Sequence, residues 1–450
     1  MGRIRKPESF NSLLNRVAAK DFVQLTGKYS AIDSKGRYLH WDQFQWRVEE
    51  GDRKEAAWIA TKLARIAISQ KLSELKSEKD RHFSYCIPNS LLAQLHKIDQ
   101  TIGGGHSIKG NVFSSSTEEG KNRYLLKDLM MEEAINSSQL EGASTTRKVA
   151  KQMLKNNLPP KNKSEQMILN NFLLMKESLA RQDEDLSIEM ILELHKIATY
   201  NAIENQGISG EIRNHDNIFI SDIFGEGIYY PPAWETLEHR LNSLIDFANC
   251  NHSQFQSNDF IHPIIKAIIL HFMIAYIHPF DDGNGRTARA IFYWYMLKSG
   301  YWLFEYVSIS RLIQQKRSAY DLAFVYTETD DFDLTYFLYH QVDVILKAVE
   351  ALQNYIDRKQ KEFYEFAEWI NKSPLAKKLK RQHLEILKQA VKEPGKEFTS
   401  KQVSLDLEVT ENTARSYLNK LAANKLLKVA KDGRTMLYVA PANLRDKLKL

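Results

Sequence analysis

One short stretch, HPFDDGNGRTAR at residues 278–289, brings together residue types that could do chemistry on a phosphate. A histidine stands four residues before a carboxylate, a Gly-Asn-Gly turn follows, and two arginines come next, three residues apart. The residues concerned are His278, Asp282, Gly283, Asn284, Gly285, Arg286 and Arg289. A histidine can take a proton near neutral pH, and one carboxylate is often how a protein holds a Mg²⁺ ion that is already bound to phosphates. The stretch therefore predicts a general base beside a metal ligand and an anion site.

The turn and the arginines suit the anion site. Glycines let backbone N–H groups converge on a phosphate, and a helix that starts there adds the positive end of its dipole. Arg286 and Arg289 would share one side of that helix, because positions three apart are neighbours, and guanidinium groups bind phosphate in a bidentate manner. A short motif alone is usually structural. Here the flanks IIKAIILHFMIAYI and AIFYWYML predict two buried helices that hold the polar stretch between them as a site.

The stretch resembles the signature of the Fic family, His-x-Phe-x-(Asp/Glu)-Gly-Asn-Gly-Arg-x-x-Arg, and matches it at every defined position, with Phe280 as the phenylalanine. We call residues 278–289 the signature loop. The resemblance implies a mainly α-helical Fic-type bundle with a small β-hairpin flap. It also implies transfer of AMP from ATP to a Ser, Thr or Tyr hydroxyl of a protein, including self-modification. The related Doc proteins that phosphorylate instead lack the first glycine of the turn, so Gly283 favours nucleotidyl transfer.

The resemblance also implies a role for each residue of the loop. His278 is the base that deprotonates the target hydroxyl, and Asp282 holds Mg²⁺. Arg286 contacts phosphate, and Arg289 holds the γ-phosphate of ATP. The nest for the α- and β-phosphates is formed by Gly283, Asn284 and Gly285. The chemistry expected is positioning and charge stabilisation of an in-line displacement at phosphorus, with pyrophosphate as the leaving group.

A second match lies upstream, in the hexapeptide SSQLEG. It fits the family's inhibitory pattern (Ser/Thr)-x-x-x-Glu-(Gly/Asn), with Ser137, Glu141 and Gly142 at the defined positions. The preceding residues have apolar spacing suited to a helix at about 124–142, and the glycine is a plausible helix end. By the resemblance, Glu141 pairs with Arg289, blocks the γ-phosphate and so inhibits the enzyme from an N-terminal helix.

A third match lies between the other two. The segment GEIRNHDNIFISDIFGEGIYYPP contains two β-like runs, Asn217 to Ser221 and Gly227 to Tyr230, and predicts a hairpin. Gly210 and Arg213 match the usual lead-in of the family. The resemblance makes this hairpin the flap, whose exposed edge pairs with the target backbone. The residues expected to dock the target are Ile218, Phe219, Ile220 and Ser221.

The region expected to hold the nucleotide base departs from the family pattern. Arg317, Ser318 and Tyr320 resemble the segment that contacts adenine, with Tyr320 as an ATP-binding residue. Asp321 stands where the family often has a second tyrosine, and Glu328 stands where an asparagine is frequent. The strictness of the preference for ATP is therefore left open.

Composition bounds the remaining possibilities. The chain has 450 residues, 43% hydrophobic and 26% charged, which is ordinary for a soluble protein of about three domains. The longest apolar run, Ile264 to Ile277, is too short to span a bilayer, and the first residues do not resemble a signal peptide. Two distant cysteines, Cys86 and Cys250, predict a reducing compartment, the cytoplasm.

Three regions are predicted. Residues 1–110 form an N-terminal helical region, in which EAAWIATKLARIAISQKL is amphipathic and FSYCIPNSLLAQLHKID resembles a lead-in helix of long Fic proteins. Residues 111–370 form the Fic domain with its inhibitory helix. Residues 375–450 form a third domain. His195 and His271 lie within apolar helices and are interpreted as packed core residues rather than ligands.

The third domain carries the basic excess of the chain. Residues 371–450 hold 18 Lys and Arg against 8 Asp and Glu, a net charge of +10. The order of patterns, with Thr410 as an N-cap for a third helix and a hairpin turning at Asp432-Gly433, resembles a winged helix-turn-helix. The candidate DNA contacts on the third helix are Asn412, Arg415, Ser416 and Asn419. A protein–protein module with a solvated basic face is the alternative.

Two other functions stay open from the sequence. The chain could be a DNA-binding regulator that uses the Fic fold as a nucleotide sensor, which the basic tail favours. It could also catalyse the reverse reaction, removal of AMP, with Glu141 orienting the attacking water. A homodimer is compatible with the sequence. The target protein and the signal that relieves inhibition are not readable from it.

Overall fold

The computed structural model describes residues 4–102, 119–203, 207–221, 227–252, 260–432 and 435–448. The chain is mainly helical and divides into two compact units, Met1–Leu352 and Gln353–Leu450. Within the described ranges, every helix is either too short or too polar to cross a bilayer.

Helices occur from the beginning to the end of the first unit. The last of them begins in the first unit and ends in the second. They are α1 (Phe10–Arg16), α2 (Ala19–Val23), α3 (Trp41–Phe44), α4 (Lys54–Ala67), α5 (Asn89–Ile102), α6 (Glu119–Leu140), α7 (Arg147–Lys155), α8 (Lys163–Ala180), α9 (Ile188–Thr199), α10 (Leu237–Asn249), α11 (Pro263–Ile277), α12 (Asn284–Lys298), α13 (Ser310–Gln315), α14 (Arg317–Thr329) and α15 (Thr335–Lys372). Short 3₁₀ turns lie at Trp234–Thr236 and Trp302–Glu305.

The core of the first unit is built on α11 and α12, the two helices that flank the signature loop. Both are almost entirely buried and pack against each other, as their apolar sequences predict. Helix α11 begins with Pro263 in its first turn, where the missing N–H costs nothing, and His262 caps it by accepting from the Ile264 N–H. Helices α8 and α9 pack on α12 and complete the layer that surrounds the loop.

The mostly helical pattern of the N-terminal region is interrupted by strands at residues 69–86. Helix α4 ends at Ala67, and a hairpin of β1 (Ser69–Lys76) and β2 (His82–Cys86) follows. Tertiary contacts favour the strands, because β2 inserts Phe83 edge-on between the rings of Phe272 and Tyr276 on α11. The FSYC segment is therefore a strand, and the lead-in helix starts only at Asn89.

A buried ion network joins the N-terminal helices to the rest of the first unit. Lys62 Nζ lies 2.8 Å from Asp330 Oδ1, and Arg65 donates to the Tyr336 hydroxyl at 2.7 Å. All four side chains are buried. Because removing one partner would leave a buried charge uncompensated, α4 is strongly tied to the turn between α14 and α15.

The predicted flap hairpin is confirmed. Strands β3 (Ile220–Ser221) and β4 (Gly227–Tyr229) pair antiparallel, with Ile220 opposite Tyr229 and Ser221 opposite Gly227. The tip between the strands lies outside the described residues.

The second unit contains the elements that the sequence predicts for the tail. Its helices are α16 (Arg381–Lys392), α17 (Ser400–Asp406), α18 (Glu411–Ala423) and α19 (Leu444–Leu448), and its strands are β5 (Glu397–Phe398), β6 (Lys428–Asp432) and β7 (Thr435–Val439). The sheet order is β5-β7-β6, all antiparallel. Thr410 caps α18 as predicted, by accepting from the Thr413 N–H. Gly433 lies outside the described residues, and the winged-helix assignment stays a prediction.

Candidate active site

His278 closes α11 in a left-handed conformation, with φ 49°, and turns the chain into the signature loop. Its Nδ1 lies 3.2 Å from the carbonyl oxygen of Ala275. Because a carbonyl only accepts, Nδ1 carries the proton and Nε2 is the nitrogen with a lone pair. Burial lowers the pKa of His278 to about 4, and the Arg213 guanidinium acts in the same direction. The imidazole is therefore neutral at pH 7, which is the state that a base needs.

Arg213 braces the start of the loop. Its backbone N–H donates to the Pro279 oxygen and its Nε donates to the His278 oxygen, both at 2.9 Å. The other guanidinium nitrogens donate to the Pro232 oxygen at 2.5 Å and to Asp216 Oδ1 at 2.9 Å. Arg213 is 4% exposed. Arg213 therefore links the main chain of His278 and Pro279 to Asp216, which precedes the flap hairpin, and to Pro232, which follows it.

The middle of the loop is closed around Phe280, which is fully buried. The Asn284 side chain bonds the Phe280 backbone twice: its Oδ1 accepts from the N–H at 3.0 Å, and its Nδ2 donates to the oxygen at 2.6 Å. The ring of Phe280 stacks on the imidazole of His195, with centroids 3.7 Å apart and planes at 2°. Asn284, predicted as part of the phosphate nest, thus also holds the turn shut with its side chain.

Asp282 stands just before the first turn of α12. Its Oδ1 accepts from the Gly283 N–H at 2.6 Å and from Arg286 NH2 at 2.9 Å, and its side chain is 21% exposed. Arg286 is 2% exposed and also donates from NH1 to the Ala198 oxygen at 2.8 Å. Its Nε meets no acceptor in the part of the chain that the structure describes. Arg286 thus orients the Asp282 carboxylate and ties α12 to the end of α9.

Glu141, immediately after α6, reaches Arg289 on α12. Arg289 NH2 donates to Glu141 Oε1 at 2.8 Å, and Arg289 Nε donates to Ser137 Oγ at 3.0 Å. Burial by itself would raise the pKa of Glu141, but the charges of Arg289 and Arg286 outweigh it and the pKa is lowered. Glu141 is therefore ionised and paired at neutral pH. Gly142 follows in a left-handed conformation, with φ 97°, and ends the helical stretch.

The Glu141 carboxylate lies against the first turn of α12. A single carbon added to Gly285 would come 2.5 Å from Glu141 Oε1. The carboxylate thus occupies a position beside the helix N-terminus, where backbone N–H groups and the helix dipole favour an anion. A phosphate brought to the same position would meet a like charge and compete for Arg289.

A second set of hydrogen bonds holds α6 at Glu133, about two turns before Glu141. Glu133 is 2% exposed and accepts from Ser308 Oγ at 2.7 Å, Ser310 Oγ at 2.6 Å and the Ser310 N–H at 3.2 Å. Burial raises its pKa, and the hydrogen bonds from the two serines oppose this. Asn136, one turn further along, donates to Ser308 Oγ at 3.3 Å. Helix α6 is thus fastened to the start of α13.

The residues expected near the nucleotide base lie beside the end of α6. Tyr320 is 8% exposed, and its hydroxyl is 3.1 Å from His271 Nε2. Arg317 donates from Nε to Asp321 Oδ1 at 2.9 Å and from NH1 to the Leu140 oxygen at 3.3 Å. Arg317 therefore bridges the Asp321 carboxylate to the last residue of α6.

The flap lies beside the start of the signature loop. The Tyr229 hydroxyl donates to the Tyr276 oxygen at 2.5 Å, two residues before His278. Next to it the rings of Phe219 and Tyr230 lie 6.1 Å apart and are 52% and 65% exposed. Among the predicted docking residues, Ile218 is half-buried, while Ile220 and Ser221 form strand β3. The hairpin thus carries exposed aromatic surface and contacts the end of α11 close to the start of the loop.

The predicted DNA contacts all lie on the exposed face of α18. They are Asn412, Arg415, Ser416 and Asn419. Arg415 NH2 lies 3.6 Å from Glu411 Oε1. Asn419 Oδ1 accepts from the Tyr438 hydroxyl of β7 at 2.6 Å, which joins this face to the sheet.

The sequence did not predict the full structural role of three residues of the site. His195 is a packed residue, as interpreted, but it also bonds the loop backbone. Arg213 was matched only as a lead-in position, and Glu133 was not singled out. A bond between His195 and Asp282 joins positions 87 residues apart, and no spacing rule in a single sequence could reveal it.

Comparison with known proteins agrees with this geometry. The model of the Fic/DOC family matches residues 185–296, a range that contains the signature loop. Protein adenylyltransferase Fic of Nematostella vectensis is 27% identical over 184 residues, which is 39% of this chain and 39% of that protein. Protein adenylyltransferase fic-1 of Caenorhabditis elegans is 32% identical over 123 residues, which is 27% of this chain and 22% of that protein. The chain thus spans well under half of the length of these curated relatives.

The structural comparison supports the fold. A Fic family protein from Desulfovibrio desulfuricans G20 superposes with a TM-score of 0.50 at 17% sequence identity. The match covers 79% of this chain and 97% of that chain. At this identity the likeness concerns the fold.

Proposed function

Residues 185–296 form a Fic domain, and from that premise we propose that the protein is an adenylyltransferase that moves AMP from ATP to a Ser, Thr or Tyr hydroxyl of a protein. One observation carries the proposal. A neutral histidine opens a loop whose helix N-terminus binds an anion, and the anion present is the carboxylate of Glu141. The names of the relatives, which are protein adenylyltransferases, support the same reaction.

In the proposed reaction, residues of the signature loop take up the proton and stabilise the charge. The target hydroxyl oxygen attacks the α-phosphorus of ATP, and its proton passes to His278 Nε2. The new bond joins oxygen to phosphorus, the bond from the α-phosphorus to the α,β-bridging oxygen breaks, and pyrophosphate leaves. Backbone N–H groups of the nest and Arg289 stabilise the charge on the phosphates. The attacking oxygen and the leaving oxygen of pyrophosphate must lie in line through the α-phosphorus. The brace from Arg213 to the His278 oxygen holds the base that takes the proton from the attacking hydroxyl.

The residues fit a Mg²⁺ ion that arrives with the nucleotide. Asp282 offers one carboxylate at the mouth of the nest, held by Gly283 and Arg286. Across the described ranges no cluster of three or more acidic, histidine or cysteine side chains could hold a metal alone, so phosphate oxygens and water would complete the coordination. When bound, the ion neutralises phosphate charge.

We further propose that Glu141 inhibits the enzyme. Its ionised carboxylate competes with the γ-phosphate for Arg289 and for the N-terminal turn of α12. Replacing Glu141 by glycine removes the competitor and leaves the loop intact. The inhibited state is therefore the resting state of the chain, and any signal that withdraws the end of α6 would activate it.

Labelling with α-³²P-ATP and Mg²⁺ tests both proposals. The proteins compared are wild type, Glu141→Gly, and Glu141→Gly combined with His278→Ala. Strong self-labelling confined to the Glu141→Gly single variant is the expected result. A parallel reaction with γ-³²P-ATP should give no label, because the γ-phosphate leaves with pyrophosphate.

Other outcomes would change the proposal. Absence of label in all three proteins, with or without added candidate targets, would contradict the transferase. Equal label in wild type and Glu141→Gly would remove the inhibitory role. Release of AMP from labelled protein by wild type, but not by Glu141→Gly, would assign Glu141 to the reverse reaction.

We propose that the second unit is a winged helix that binds DNA and so localises the enzyme. The support is its charge, with a net of +10 over residues 371–450, and the exposed polar face of α18. A gel shift should show binding that weakens as salt rises, because phosphate contacts release counterions. Arg415→Ala should weaken binding while His278→Ala does not. Binding unaffected by Arg415→Ala would contradict this interface and favour a protein partner.

A further inference from the structure

His195, on α9, touches the signature loop with its ring face and with one ring nitrogen, Nε2. It is 1% exposed and stacks on Phe280 with nearly parallel planes. Its Nε2 lies 2.8 Å from the main-chain oxygen of Asp282, and its Nδ1 lies 3.0 Å from the backbone nitrogen of Gly210. The side chain thus joins the loop to the segment that leads into the flap.

The two hydrogen bonds determine the tautomer of His195. The Gly210 N–H can only donate, so Nδ1 accepts with its lone pair. The Asp282 oxygen can only accept, so Nε2 carries the proton. The neutral imidazole with its hydrogen on Nε2 satisfies both partners at once.

The C-terminal end of α9 packs directly against the turn that contains Asp282. Gly283 caps α12 with φ 84°, and a carbon added to it would come 2.6 Å from Thr199 Cγ2 and 3.1 Å from His195 Nε2. One turn further, Arg286 donates to the Ala198 oxygen. The backbone of the nest therefore rests directly on α9, and His195 is the point where a directed hydrogen bond sets its orientation.

We infer that His195 is a positioning residue for adenylyl transfer, because its Nε2–H holds the main chain of Asp282 and thereby orients the carboxylate and the first N–H groups of α12 toward the phosphates. This inference rests on the proposed function. Donors that are already aligned stabilise the charge that develops in the transition state without reorganising during the reaction. Loss of the anchor would let the turn relax, even with the fold preserved.

The test compares two buried histidines in the Glu141→Gly background. His195→Phe keeps a ring to stack on Phe280 but removes both nitrogen contacts. The matched control is His40→Phe. His40 is fully buried, stacks on Tyr326 at 4.1 Å, and accepts from the Asp42 N–H at Nδ1, but it lies in the N-terminal region away from the loop.

Both variants should lower the melting temperature by a similar amount, because each leaves polar groups unpaired in a buried position. Only His195→Phe should lower kcat for self-labelling, by about tenfold or more, as expected for lost alignment of charge-stabilising groups. A second measurement is independent of turnover. Calorimetry with ATP should show that His195→Phe weakens binding more in Mg²⁺ than in EDTA, while His40→Phe alters neither.

A pair of amide variants keeps the test decisive if His195→Phe does not fold. His195→Gln places an N–H near the position of Nε2, whereas His195→Asn reaches only the position of Nδ1. Higher kcat in His195→Gln than in His195→Asn supports the inference. Equal rates in the two amide variants, or a loss in His195→Phe no greater than in His40→Phe, would overturn it.

Labelling and calorimetry together distinguish failure of the proposed function from failure of the positioning role. If Glu141→Gly itself does not label, the transferase proposal fails. The calorimetric comparison then decides the positioning role alone: a Mg²⁺-specific loss of ATP binding in His195→Phe supports it, and identical binding in the two phenylalanine variants refutes it.

Discussion

The imidazole of His278 owes its proposed role as a base to its surroundings. The left-handed turn places it at the end of a buried helix, and the Ala275 oxygen takes the Nδ1 hydrogen. Burial and Arg213 keep the ring neutral. All of these effects come from the protein itself, so His278 is prepared for the proposed role before any nucleotide binds.

Replacing the base tests its role directly. His278→Ala, made in the Glu141→Gly background, should lower the labelling rate by about 100-fold or more, the usual contribution of a general base. ATP affinity in calorimetry should stay nearly unchanged, because the phosphate contacts lie on α12. A variant that retains most of its activity would contradict the assignment.

The pH dependence follows from the lowered pKa of His278. A pKa of about 4 means that the ring stays unprotonated from pH 8 down to about pH 5.5. The initial labelling rate of Glu141→Gly should therefore show no step centred near pH 6.5, the value of an unperturbed histidine. Rates measured across that range with saturating Mg²⁺ and ATP check this, and a decrease with a midpoint near 6.5 would mean that His278 is exposed during turnover.

At the scale of elements, the proposed inhibition depends on where α6 is held. Glu141 pairs with Arg289, while Glu133 and Asn136 fasten the same helix to the start of α13. The two anchors lie about two turns apart on one rigid helix, so loosening the first should loosen the second. We therefore expect the helix to transmit a change at α13 to the anion site.

Glu133→Ala tests this transmission and removes none of the hydrogen bonds that Arg289 makes to Ser137 and Glu141. It leaves two serine hydroxyls and one N–H without their buried acceptor, at a cost of about 2–4 kcal/mol in the free energy of unfolding. We expect a lower melting temperature together with a severalfold rise in self-labelling.

The matched control is Glu165→Ala, which removes a buried carboxylate of α8 that accepts from the Lys161 N–H. It should destabilise the fold and leave labelling at the wild-type level. If Glu133→Ala and Glu165→Ala behave alike in the labelling assay, α6 is not held in its inhibitory position by Glu133.

At the scale of the whole molecule, the first unit buries several neutral histidines. Within its described residues, five have a pKa lowered by burial to about 4 or below: His40, His195, His271, His278 and His340. Each would gain a proton on unfolding between its folded pKa and about 6.5. Glu328 acts oppositely, because burial beside Glu78 raises its pKa to about 8.

The direction in which pH changes the stability follows from the histidines and Glu328 acting in opposite senses. Between pH 6.5 and pH 4 the unfolded chain binds more protons than the folded one, so stability is lost as pH falls through that window. At pH 5.5, unfolding should take up a net of several protons, because five histidines gain a proton while Glu328 and Glu133 release theirs. Calorimetric unfolding in buffers of different ionisation enthalpy measures this number. An uptake near zero would mean that the histidines are solvated in the folded state.

The sequence by itself determined the parts of this protein that depend on local spacing. The buried helices around the signature loop, the flap hairpin and the cap at Thr410 follow from periodicity, turn chemistry and capping. The base, metal ligand and anion site predicted in the signature loop follow from the types and spacing of its residues. The pairing of Glu141 with Arg289 was expected from the family resemblance, and the structure brings the two side chains together.

Only the tertiary structure decided the contacts between segments that are distant in the chain. Nothing in the spacing of residues indicates that His195 supports Asp282, that Glu133 meets Ser310, or that the FSYC segment is a strand on α11. Local patterns report which face of an element is apolar, but they do not report which element covers that face. Packing makes that choice, and with it the orientation of the backbone that prepares the site.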